Sequence, residues 1–168
     1  MSEQKKYQTL TGRTVVLEML SGEERAFLMV VVERYRKWSD WTEFAAWWMS
    51  EASKWGFVRE SPVFRICDDL EARLGIAQGK VAPPDYRHCI LALIEERDGS
   101  RGKFCQETGI DPKQLGWILA GDANASVVEL ERLLHVFNMY LAVQTGEEML
   151  EMASPEETCN ILKEWIVP

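Results

Sequence analysis

The sequence predicts an all-α protein, and three observations carry that expectation. Gly and Pro fall at intervals that bracket helices, and the apolar residues between them recur every three or four positions. Only residues 14 to 20 have strand character, and a single strand has no evident partner. That stretch reads as a hairpin partner, an arm or a short helix. The chain's 168 residues, 46% of them apolar, are enough for a core without disulfide or metal staples.

The elements follow in order from local signals. Ser21 and Glu24 form a capping box, so a helix should run from about 22 to 37. Asp40 caps a second helix over about 41 to 55, closed by Gly56. Ser61 and Pro62 supply an N-cap and a first-turn proline for a third, with Gly75 as its stop. Residues 78–84, with Gly79, Pro83 and Pro84, cannot continue a helix and mark a domain boundary. Helical signals then cover about 86–97, where Cys89, Leu91, Leu93 and Ile94 fall at helical spacing, and about 101–108, 112–120 and 126–137. Ser154 and Pro155 open a last helix through Ile161, Leu162 and Trp165. The expected division is a helical domain over 1–80, a second domain over 81–145 and an acidic C-terminal helix over 146–168.

The first domain is unusually apolar. Trp41, Phe44, Ala45, Trp48, Ala52 and Trp55 form one stripe on the second helix, which reads as core, with Trp47 and Met49 off it. In the first helix, Phe27 to Val32 is an unbroken apolar run. A helix wet on one face does not look like that, so this one is either central in its domain or meets another subunit.

Charge and cysteine usage exclude several classes. No 18-residue stretch is free of charge, so no transmembrane helix is expected, and the polar start of the chain does not suit a secretory signal. A cytoplasmic address follows as an expectation. Cys67, Cys89, Cys105 and Cys159 stand singly, and His88 and His135 are far apart, so neither a metal site nor a cofactor is expected. No nucleophile constellation or phosphate loop is readable, and the chain is not expected to be an enzyme. Residues 1–80 balance 12 basic against 12 acidic groups, whereas residues 81–168 carry 7 against 15 and hold the whole net charge of −8. Any nucleic-acid partner must be held against that balance.

Residues 100 to 141 are the most specific part of the sequence. A short helix opens after Ser100, with apolar Phe104 and small Cys105, and ends at Gly109. Ile110 and Asp111 lead into a second helix that buries Leu115 and Ile118 and stops at Gly121. Asn124 and Ser126 precede a third with Leu130, Leu133 and Phe137, leaving through Asn138, Met139, Tyr140 and Leu141. This order and spacing resembles the helix-turn-helix family of lambda-type repressors, the XRE type, over about 85–143. The resemblance implies a five-helix DNA-binding domain whose recognition helix lies at about 111–120. It implies a cytoplasmic, bacterial-type transcriptional regulator that binds double-stranded DNA as a homodimer. The places it assigns to DNA contact are Arg101, Lys103, Lys113, Gln114, Gly116 and Trp117. Gln114 would read adenine, while Arg101, Lys103 and Lys113 would pair phosphates. Arg97 could join those cations, with Asp98, Glu107 and Asp111 diluting their field.

Several positions depart from a DNA-reading surface. Pro112 offers neither a side-chain donor nor an N–H, Gly116 sits mid-helix, and Trp117 occupies an exposed place. These departures keep a second reading open: a protein-interaction module, antitoxin- or adaptor-like, with an apolar patch of Gly116, Trp117 and Leu119.

Overall fold

The computed structural model describes residues 5–38, 40–97, 100–142, 148 and 154–166. It is all-α: eight helices among the described residues, with one small two-stranded sheet. The chain forms two compact units, one of residues 1–83 with 146–168 and the other of residues 84–145.

In the first unit, β1 (Lys6–Gln8) and β2 (Thr14–Val16) pair antiparallel, with Tyr7 opposite Val15. Those two side chains are buried, while Lys6, Gln8 and Thr14 face outward. Gly12 turns the hairpin at φ 84°, and the Thr9 hydroxyl accepts from the Arg13 amide at 3.0 Å. Residues 17–19 form a 3-10 turn. The strand signal at 14–16 thus belongs to a hairpin whose first strand is polar but for Tyr7.

Helix α1 (Gly22–Tyr35) carries the complete Ser21–Glu24 capping box. Asp40 caps α2 (Trp41–Lys54) through the Thr42 and Glu43 amides, and Gly56 follows at φ 77°. Of the α2 stripe, Phe44, Ala45, Trp48 and Ala52 are buried, Trp41 is half-buried, and Trp55 is exposed. Trp47, off that stripe, still packs against Trp38, with the Arg34 guanidinium 5.0 Å from its ring centre.

Two local expectations for α3 (Pro62–Ala77) need correction. Ser61 precedes the helix but makes no side-chain cap; its hydroxyl donates instead to Glu24 Oε1 at 2.8 Å. Gly75 does not stop α3. It is buried within the helix, which ends two residues later, and Val81 folds back over it, so a Cβ there would lie 2.6 Å from Val81 Cγ2. The stop is Gly79, at φ 65°.

The last helix, α8 (Pro155–Ile166), packs against α1 and α3 and buries Cys159, Leu162 and Ile166 in the first unit's core. The segment 146–168, expected as a separate acidic helix, is thus part of this unit. Its packing helps to account for the apolar run of α1, where Phe27, Leu28, Val31, Val32 and Tyr35 are buried and the helix contacts α8, α3 and α2, while Val30 is exposed. The side chain of Trp165 lies outside the described residues. A buried network ties hairpin, α3 and α8 together. Asp69 accepts from Tyr7 Oη at 2.5 Å, the Leu10 amide at 2.7 Å and Arg73 Nε at 2.6 Å. Arg73 also donates to Gln8 O at 3.2 Å and to Thr158 Oγ1 at 3.4 Å.

The second unit contains α4 (Tyr86–Arg97), α5 (Arg101–Thr108), α6 (Pro112–Ala120) and α7 (Val127–Val136). Ile90, Ile94, Phe104, Cys105, Ile110, Leu115, Ile118, Leu130 and Leu133 form its core. Leu91, expected among the apolar positions of α4, is exposed, and Ile90 takes the inward place. The described residues of this unit hold four helices where the resemblance implied five, and residues 98–99 and 143–145 lie outside them.

Candidate nucleic-acid interface

The turn between α5 and α6 is built by three residue types, each with a separate physical role. Gly109 closes α5 in the left-handed region, φ 69°, where a Cβ is disfavoured. Ile110 buries its side chain and anchors the turn in the core. The Asp111 carboxylate then accepts from the Lys113 amide at 2.9 Å and the Gln114 amide at 3.1 Å, while Pro112 occupies the first helical position. At the start of α5, Ser100 Oγ accepts from the Lys103 amide at 3.4 Å.

Helix α6 is buried through Leu115 and Ile118 and ends at Gly121, φ 83°. Lys113, Trp117 and Ala120 are exposed, with Trp117 at 55%, and Gly116 is half-buried. Arg101 and Lys103 are exposed in the first turn of α5. All three cations stand where the helix macrodipole is positive, a placement worth about 0.3–1 kcal/mol against each of them in isolation. An anion outside the protein would offset that cost, because helix N-termini favour phosphate.

Gln114, another of the expected contact residues, is engaged within the fold. It is half-buried, and its Nε2 donates to Glu129 Oε1 at 2.5 Å. Glu129 belongs to the capping box of α7, where it accepts from the Ser126 amide at 2.8 Å and the Ser126 hydroxyl at 2.7 Å. The Ser126 amide first, then its hydroxyl and the Gln114 amide, hold the Glu129 carboxyl below the usual carboxylate range. The Gln114 amide is therefore turned toward α7. Leu119 is half-buried against the core, which removes one member of the apolar patch expected around Trp117. The Arg97 side chain and Asp98 lie outside the described residues.

Sequence reasoning missed a groove of about 550 Å³ along α7 and its exit, lined by Val128, Glu131, Arg132, His135, Val136 and Met139 to Leu141. Val128, exposed just after the Ser126 cap, was a signal for it, since the buried face of α7 begins at Leu130. No helix of the described residues is long and apolar enough to cross a membrane, and no group of three metal-ligating side chains occurs among them. The four thiols are buried or half-buried, and burial pushes each one up from its ordinary pKa. No family model matches the chain, and no curated protein or solved structure does.

Proposed function

We propose that this chain is a DNA-binding transcriptional regulator of the lambda-repressor-like type, with α6 as the helix that enters the major groove. The observation that carries the reading is the α5–α6 corner. A left-handed glycine, a buried aliphatic and a capping Asp hold α6 by Leu115 and Ile118 and leave Lys113, Gly116, Trp117 and Ala120 on its other side. Arg101 and Lys103 add two exposed cations from the supporting helix. One recognition helix gives few contacts, and paired half-sites supply the rest, so a cytoplasmic homodimer on double-stranded DNA belongs to the proposal. A protein-interaction role is favoured by one observation, the exposed indole of Trp117, and is weakened by the half-burial of Leu119.

The test is fluorescence anisotropy against mixed-sequence duplex DNA from low to physiological salt. If Arg101, Lys103 and Lys113 each reach a phosphate, log K falls with log salt at a slope of about −3 per protomer. Arg101→Ala and Lys113→Ala should each flatten the slope by about one unit without lowering stability. An absence of binding at low salt refutes the regulator and leaves the protein-interaction reading.

A further inference from the structure

The way α6 would read sequence can be argued further, resting on the duplex-binding reading above. Gln114 is committed to Glu129 and the α7 cap, so the amide that α6 could offer to adenine is not presented outward. The outward stripe is Lys113, Gly116, Trp117 and Ala120, at steps of 3, 1 and 3.

Two adjacent features of that stripe have no explanation inside the fold. A Cβ at Gly116 would meet nothing within 4 Å, and Gly116 does not have a positive φ, so packing and backbone conformation both permit a larger residue. Trp117 leaves more than half of a large apolar side chain in water. Both features become favourable if another surface closes on α6 there. Lys113 on the same stripe, with Arg101 and Lys103 exposed on α5, selects a polyanion as that surface. In the major groove the apolar group presented by base edges is the thymine C5 methyl.

We infer that α6 reads sequence by burying thymine methyl groups against the Trp117 ring, with Gly116 allowing the helix backbone to approach the groove. Gln114 belongs to the packing of α6 on α7 and does not select bases.

The experiment selects duplexes from a random pool with the full chain and sequences the bound fraction. Thymines in the enriched sites are then replaced one at a time by deoxyuridine, which lacks only the methyl group. Wild-type affinity should fall about fourfold at one or two positions, the fold-change that burial of one such group supports. Trp117→Ala should bind with no further loss at those positions, and Trp117→Phe should keep part of the sensitivity. Gln114→Ala should keep the same sensitive positions, whatever its overall affinity. Circular dichroism checks that each variant is folded. Duplex binding that ignores deoxyuridine, or a Trp117→Ala protein as sensitive as wild type, overturns this inference and leaves the regulator standing. A chain that binds no duplex at low salt overturns both.

Discussion

Two glycines inside helices should respond in opposite directions to the same substitution. At Gly116 an added Cβ enters open space, and the position does not need a positive φ. Gly costs a helix interior about 0.8–1 kcal/mol relative to Ala, so Gly116→Ala should stabilise the second unit by up to that amount. For a unit of this size that raises its midpoint by roughly 4–8 °C. At Gly75 the Cβ would lie 2.6 Å from Val81 Cγ2, 3.2 Å from Val81 Cβ and 3.6 Å from the Trp41 ring. The same gain in propensity is then opposed by overpacking of about 1–3 kcal/mol, and the first unit should lose up to about 2 kcal/mol. Hydrogen exchange resolved by segment is the suitable assay, because two units need not unfold as one transition. Slower exchange across α6 in Gly116→Ala and faster exchange across α3 in Gly75→Ala are expected. A shift of the same sign at both sites refutes the reasoning. Duplex binding adds a second readout: if the backbone at Gly116 must approach the groove, the more stable variant binds more weakly.

Two further predictions concern charged groups. Asp69→Ala removes the acceptor of three donors and leaves Arg73 buried without its partner carboxylate, so the first unit should lose about 3–5 kcal/mol in chemical denaturation. A loss below about 1 kcal/mol would show that the network contributes little. At the start of α4, the Arg87 side chain first, then His88 and the Arg87 amide, hold the Asp85 carboxyl well below the usual carboxylate range. A folded pKa below the unfolded one stabilises fully above the unfolded value, about 4, and that contribution is lost as pH falls toward the folded value. The second unit should therefore weaken from about pH 4 downward, modestly because the side chain is 35% exposed, and Asp85→Asn should flatten that limb. Identical acid limbs in the two proteins would refute the assignment.

What was legible in the sequence was local. The Ser21–Glu24 box, the Asp40 and Asp111 caps and the left-handed Gly109 and Gly121 each act within one turn of chain, so residue type and spacing suffice. Long-range partners were not legible. Nothing in residues 6–8 announces a strand except its pairing with residues 14–16, and nothing near Asp69 announces Tyr7, 62 positions away. Gly75 reads as a helix stop in the sequence, and only its contacts with Val81 and the Trp41 ring show that it is packed inside the helix instead. The candidate interface shows the same division. Its corner could be read from spacing, whereas the diversion of Gln114 depends on a Glu129 that the cap of α7 fixes in place.

The position of α8 also changes how the chain's charge bears on DNA binding. The second half holds the whole net −8, but its C-terminal 23 residues, with one Lys and six acids, belong to the first unit. Residues 85–143 retain 6 basic and 9 acidic groups. Among those acids, Asp111 and Glu129 cap helices and Asp85 pairs with Arg87. A carboxylate satisfied by local N–H groups projects less field than one in open water, while Arg101 and Lys113 stand exposed at helix N-termini that add to their potential. Net charge therefore says little about whether this face can meet a phosphate backbone. The salt slope measures it directly, because it counts the cations that reach phosphates rather than the sum over the chain.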